Sequence, residues 1–557
     1  GSFDANSGTI EMNGSARLQL SVAGSGVSSL GTLDAAAGTV EYDGGTQDVI
    51  ADDYYNLEID QAGTKTAQGA VNVNGTMTVQ SGATYDIEAT TTTVTGTSSI
   101  AGTLDIDGSG VYDANANFSA SGGSVNFSGA GFLKCARGVS SWGSSTFNSG
   151  TVIFDRTDGG TQNVKSYDYY NLTIDGNATH QLTNSSPAFN VAGDLVVNSP
   201  ATTIFSPNQF DVTVTGTTDV DGTLSISTGS FTANGPTVID GTLSITSTGE
   251  YDANNTFTAA SGTVNFDGNG FLRCNNTVTS LGTLSTDNGT VEYDGGNQNV
   301  LADTYNNLEI DQAGTKTAQG TVTVNGTLTV QNTGLVIYDI AGTNTIVSGA
   351  TTVNHTDASN SGTIKLTTGT YEADGTTDIN GKLTIHGTGI YDADNSFDAT
   401  GATVEFTSTG GTLKLGGATV TSIGNTFTEG SGTVEYDYSG AQNIKTRTYY
   451  NLVLDNGIKS TIGNTTISND VTITDDGTLN SGAGDDNLII GGDFTINSGG
   501  AFIGTAGGSV TSEKITFNGT SSAGETCSAI DDANLSIEVD KSDASGTLTI
   551  GGILLIL

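Results

Sequence analysis

Residues 58–69 read EIDQAGTKTAQG, and residues 309–320 read the same letters 251 positions later. VEYDGG at 40–45 returns in the same way at 291–296, and looser copies lie between and after. Gln47, Gln162, Gln298 and Gln442 each stand nine positions before an Asn-Leu pair, at Asn56, Asn171, Asn307 and Asn451. Tyr54, Tyr169, Tyr305 and Tyr449 stand two positions before those asparagines. Tandem copying of this kind builds elongated repeat proteins, in which each unit buries its apolar face on the next. A residue written into every copy is therefore read first as scaffold.

Comparing the copies tests the local structure. Val40, Val152, Val291 and Val434 match, as do Tyr42, Phe154, Tyr293 and Tyr436, while the position between them reads Glu41, Ile153, Glu292 and Glu435. Constant apolar character on one parity and drift on the other is the mark of a strand with one buried face. A finer period runs inside each copy: GTLSI begins at Gly222 and again at Gly241, and GTVNF at Gly262. Rungs of about twenty residues hold three short strands and three turns, one coil of a parallel β-helix. Asn74-Gly75, Asp221-Gly222 and Asp240-Gly241 supply turns that tolerate positive φ.

The predicted fold is all-β, an elongated parallel β-helix (β-solenoid) of about 28 coils. The alternative is a string of tandem β-sandwich domains, because the same dipeptides close hairpins and the copies are of sandwich size. Phe3, Phe118, Phe257 and Phe397 mark the copies and divide the chain into units 1–117, 118–256, 257–396 and 397–557, expected to form one continuous solenoid. The first unit begins in mid-repeat, which suggests a piece of a longer polypeptide.

The 59 acidic residues outweigh 16 basic ones, and the formal net charge of −43 repels nucleic acid and anionic lipid. Neither is expected as a partner. No apolar run approaches the roughly 18 residues of a membrane-spanning helix, so no membrane span is expected in this segment. Cys135 and Cys274 occupy the matching strings GFLKC and GFLRC, where a third copy carries Leu415. A position that accepts Cys or Leu points inward, and all three cysteines are expected as free thiols.

Few residues invite chemistry. GAGDDNLIIGGD at 482–493 resembles one copy of the calcium-binding nonapeptide of RTX β-rolls and makes Asp485, Asp486 and Asp493 a calcium candidate. No other cofactor is expected. The repeated tyrosines could stack on sugars, but the simpler reading places each ring over a corner with its hydroxyl in water. The repeated Gln and Asn residues are read as corner residues that satisfy backbone groups. No HExxH spacing, nucleophile elbow or Walker loop occurs, and the few Lys and Arg residues do not cluster with the aspartates along the sequence. No catalytic residues are assigned, and the chain is expected not to be an enzyme.

The cassette GTVEYDGGTQDV (38–49), YYNLEID (54–60), VNVNGTMTVQSG (71–82) resembles the β-strand repeats of very large bacterial cell-surface or secreted adhesin-like proteins. That resemblance implies an extracellular or cell-surface protein used in adhesion, matrix or appendage formation, with no catalytic residues to carry over. The leading expectation is a rigid structural rod, serving as adhesin stalk, surface-layer or matrix element, or filament subunit. Its partners would be copies of itself, joined end to end through Gly551, Ile553, Leu554, Leu555, Ile556 and Leu557, or a cell-surface polysaccharide. The second expectation is a calcium-assisted glycan-binding adhesin, and the third a polysaccharide-degrading β-helix enzyme.

Overall fold

The computed structural model describes residues 1–503 apart from 35, 183–188, 201–203, 209, 286, 475 and 481–485, and beyond these 513–519, 525–528, 535–540 and 548–551. No helix occurs among the described residues, and strands pair in parallel with their counterparts one coil on. About 23 turns of about 21 residues form a β-solenoid. The tandem-sandwich alternative fails on this point, because sandwiches are built from antiparallel neighbours. The rungs are slightly longer than the twenty residues that the sequence period gives.

The chain divides into two compact units, Gly1–Cys274 with Thr279–Gly289, and Asn275–Val278 with Thr290–Leu557. In the first, one coil comprises strands Gly63–Ala67, Val71–Val73 and Met77–Val79, and the next comprises Ala83–Asp86, Thr91–Val94 and Ser98–Ile100. Lys65 lies opposite Tyr85, Val73 opposite Val94 and Val79 opposite Ile100. In the second unit, Gly314–Ala318, Val322–Val324 and Leu328–Val330 are followed by Leu335–Asp339, Thr345–Val347 and Thr351–Val353. There Lys316 lies opposite Tyr338, Val324 opposite Val347 and Val330 opposite Val353.

Alternation within each strand turns every second side chain inward, and parallel register stacks like on like. Tyr85, Leu104 and Val125 form one such buried column. Aromatic columns form as well: Tyr371 and Tyr391 stack at 4.8 Å between ring centroids, and Phe231 and Tyr251 at 5.1 Å. The interior is not purely apolar. The Tyr85 hydroxyl meets Thr92 Oγ1 at 2.9 Å, Tyr112 meets Ser98 Oγ at 2.8 Å, and Tyr251 meets Thr237 Oγ1 at 2.8 Å. Each buried phenol is thus satisfied by a buried hydroxyl, which removes the cost of about 1–3 kcal/mol for an unpaired polar group.

Corners explain the repeated glycine of GTL and GTV. At Gly241 the carbonyl of Gly222 from the preceding coil passes so close that a Cβ would sit 2.0 Å from its oxygen. Only glycine lets the two backbones stack there.

On the outside the same register brings scattered charges together. Arg17 bonds both Glu41 and Glu58, the latter at 2.6 Å, and Lys365 bonds Asp339 at 2.8 Å. Lys382 bonds Glu405 at 2.7 Å, and Lys414 bonds Glu435 at 3.1 Å. Along the sequence the basic residues do not cluster with the aspartates, and it is the register between coils that sets them beside carboxylates about twenty to forty positions away. Glu41, on the outward parity, is only 4% exposed.

Candidate functional site

The four sequence signposts come together as one repeated assembly, two copies in each unit. The Gln47 amide is buried and bridges to the corner of the coil before it: Nε2 donates to Leu20 O and Val22 O, each at 2.7 Å, while Oε1 accepts from Gly44 N at 2.7 Å. Gln162 Nε2 donates to Cys135 O at 2.6 Å and Arg137 O at 2.8 Å. Gln442 Nε2 donates to Leu415 O and Gly417 O, each at 2.8 Å. Gln298 Nε2 donates to Asn276 O at 2.6 Å, and its Oε1 accepts from Gly295 N at 2.8 Å. The expectation that these amides satisfy backbone groups agrees with this geometry.

The tyrosines differ from the expectation. Tyr54, Tyr169, Tyr305 and Tyr449 are buried, and their hydroxyls meet protein rather than water. Tyr54 donates to Ile50 O at 2.7 Å and meets the Tyr42 hydroxyl at 3.0 Å, while Tyr42 accepts from Ile50 N at 3.2 Å. The two phenols together clasp both polar groups of one residue's backbone. Tyr293 with Tyr305 and Tyr436 with Tyr449 repeat the pairing, each at 3.0 Å. Burial pushes the Tyr42 and Tyr436 phenols up to about 12. The ring that reaches solvent is the neighbour, Tyr55 or Tyr170.

Each asparagine fastens the following coil. Asn56 Oδ1 accepts from Thr76 N at 2.8 Å and Thr76 Oγ1 at 2.9 Å, and Asn307 holds Thr327 N at 2.9 Å and its hydroxyl at 3.0 Å. Asn171 Oδ1 accepts from Asp194 N at 2.9 Å, and Asn451 Oδ1 accepts from Asn469 Nδ2 at 2.8 Å.

Sequence reasoning missed the fourth component. Directly opposite the four glutamines, one coil on, stand Lys65, His180, Lys316 and Lys459, all 0% exposed. Lys65 Nζ donates to Gln61 O at 2.6 Å, Lys316 Nζ to Gln312 O, and Lys459 Nζ to Asn456 O and, at 2.7 Å, to Tyr438 O. Burial lowers the lysine pKa values, to about 8 for Lys316 and Lys459, against the opposing pull of nearby carboxylates, Asp311 and Asp294 for the former and Asp437 and Asp455 for the latter. A signal existed: each of these residues follows its glutamine by 18 positions, or 17 in the last copy.

The remaining candidates separate. Cys135 and Cys274 are both buried, and desolvation raises the Cys135 pKa. The side chain of Cys527 is outside the described residues, as are Asp485 and residues 552–557, which include Ile553, Leu554, Leu555, Ile556 and Leu557. Gly551 ends strand Leu548–Gly551, paired in parallel with Glu525–Ser528. Asp493 N donates to Asp470 Oδ1 at 2.8 Å. Among the described residues, the carboxylates close enough to share an ion are Glu41, Glu58 and Asp60, and Glu372, Asp374 and Asp394, so Asp486 and Asp493 belong to neither group. Arg17 already bonds two of the first three.

These geometries define a β-solenoid repeat protein whose copied polar residues hold successive coils together. Comparison with family models, with curated proteins and with solved structures returns no match.

Proposed function

We propose that this chain is a non-enzymatic extracellular structural protein, a stiff repeat element that serves as adhesin stalk, surface-layer or matrix element, or filament subunit. One observation carries the reading: in all four copies the repeated Gln and Tyr side chains are buried and hydrogen-bonded to backbone carbonyls. The backbone ladder joins successive coils, and at some boundaries Gln and Asn side-chain bridges or outward ion pairs reinforce it. Force along the coil axis runs parallel to the ladder bonds and falls on every face of a coil boundary at once, so a boundary opens only when its bonds give way together. The acidic surface keeps neighbouring molecules apart and limits edge-to-edge association.

Single-molecule pulling from the two ends, combined with immunogold labelling of the source cells, tests this. The expected result is label on the cell exterior and cooperative unfolding of many coils at once. Label confined to the cytoplasm, or coils that peel away one by one at low force, would overturn it.

A further inference from the structure

The third copy departs from the first at two neighbouring rungs, and both departures meet on one face of the second unit. Where the first copy runs from Val79 to Ala83 through Gln80-Ser81-Gly82, the third runs from Val330 to Val336 through a longer turn that ends in Leu335. Where the first turns from Ile100 to Thr103 through Ala101-Gly102, the third has Asn354 and Gly362 with residues 355–361 added between them. The added residues fold back as strand His355–Asp357, antiparallel to Asn360–Leu366, with His355 opposite Ser361. This is the only antiparallel strand pair among the described residues.

The hairpin is built rather than loose. The Asp357 carboxylate accepts from Ser359 N at 2.8 Å and Asn360 N at 3.1 Å, and Asn332 Nδ2 of the longer turn donates to Thr356 Oγ1 at 2.5 Å. Together they wall a groove of 340 Å³. Its floor is set by register: Thr363 lies opposite Lys382, and Lys382 opposite Thr403, all on the outward parity, with Ser361 at the hairpin base. Leu335 stands at the rim, 56% exposed, the most exposed large apolar side chain among the described residues.

Residues copied into every unit are accounted for by the winding of the chain, whereas these are not copied, and an insertion on one face of a repeat array is where such proteins carry binding. The groove sets Leu335 and Ala358 beside the hydroxyls of Ser361, Thr363 and Thr403, with His355 and Asn380 as further hydrogen-bonding groups, which matches a pyranose ring with its C–H face and its edge of hydroxyl groups. Charge argues for a neutral ligand. The Lys382 ammonium is answered by Glu405 at 2.7 Å, and the net charge of −43 opposes the approach of an anion. The volume lies at the small end of the range for small-ligand clefts, enough for one or two sugar rings.

We propose that this groove binds one or two pyranose units of a neutral glycan, with Leu335 beneath the ring and Ser361, Thr363 and Thr403 bonding its hydroxyls. Saturation-transfer NMR on the whole chain tests it with cellobiose, maltose, lactose and mannobiose, and with a uronate disaccharide as the acidic arm. Two variants accompany it: deletion of residues 355–361, which restores the turn length of the first copy, and Leu335→Ser at an exposed position. The expected result is transfer to at least one neutral disaccharide, weakened at least about tenfold in both variants while circular dichroism melting stays close to the parent. Transfer to no neutral disaccharide, transfer to the uronate alone, or transfer of equal strength in either variant overturns the proposal.

Discussion

The indole Nε1 of Trp142 donates to the Tyr169 hydroxyl at 3.2 Å, in the role that the Tyr42 hydroxyl plays toward Tyr54 in the first copy. The second copy has Phe154 where the others have Tyr42, Tyr293 and Tyr436, so the ring that should supply this hydrogen bond cannot. The donor comes instead from the position just after strand Val139–Ser141, where the other copies carry Leu30, Leu281 and Ile423. Two departures from the repeat thus compensate one another in space although they stand twelve residues apart in sequence.

Rewriting the second copy to match the first should expose that compensation. Trp142→Leu alone is expected to cost about 2–4 kcal/mol through lost packing and an unmet phenol oxygen. Adding Phe154→Tyr should restore about 1 kcal/mol, and Phe154→Tyr on its own should not stabilise, because the indole already fills the site. Urea titrations of the four proteins check this, and strict additivity of the two changes would refute the coupling.

Removing a glutamine bridge should loosen the array locally. Gln442→Leu removes the donor that Leu415 O and Gly417 O share, leaving Leu415 O with Asp437 N alone, and is expected to cost about 1–3 kcal/mol. In a stack where each coil touches its neighbours, hydrogen exchange should quicken within about one coil on either side and stay unchanged around Gln47. A uniform rise across the chain would contradict that picture.

The buried lysines make an unusual prediction for alkaline pH. Burial holds Lys316 and Lys459 down at about 8, below the roughly 10.4 of an unfolded chain. Between these values the unfolded chain binds more protons, so their contribution to stability rises with pH across that window and is lowest below it, where each ammonium must stay charged in the core. Above about pH 10 the buried tyrosines act in the opposite sense, because folding keeps their phenols neutral while the unfolded chain ionises. Urea midpoints at pH 7.5, 9 and 10 should show a smaller upward slope in Lys316→Met and Lys459→Met than in the parent. Equal slopes would remove the lysines from the account.

Gln61 and Gln312, whose carbonyls receive two of those ammonium groups, hold φ of 57° and 56°, in the left-handed region. The fourth copy places Asn456 there, at φ 48°, and the second has Gly176 at the matching position. Asparagine tolerates this conformation better than glutamine. Gln61→Asn and Gln312→Asn should therefore each stabilise by up to about 1 kcal/mol, while Gln61→Val should destabilise by about 1–2 kcal/mol. Thermal melting of the three variants decides it.

The strands, their buried parity and the winding were legible in the sequence because each rests on local rules: alternation, glycine at corners, and a period that recurs. Val40 and Tyr42 declare their inward face by staying apolar from copy to copy, whereas Gln47 and Asn56, read as corner residues, each begin a strand. The partners of those residues were not legible. Whether Lys65 lies opposite Gln47, or Trp142 beside Tyr169, depends on how many residues each corner consumes before the chain returns to the same face. That count is a property of the closed coil rather than of any local stretch. For the same reason Tyr54 was expected to reach water, yet it turns its hydroxyl to Tyr42 and Ile50. What sequence alone determined is therefore the alternation along each strand, and what only the tertiary structure decided is the register between coils, which brings residues far apart in the chain within hydrogen-bonding distance.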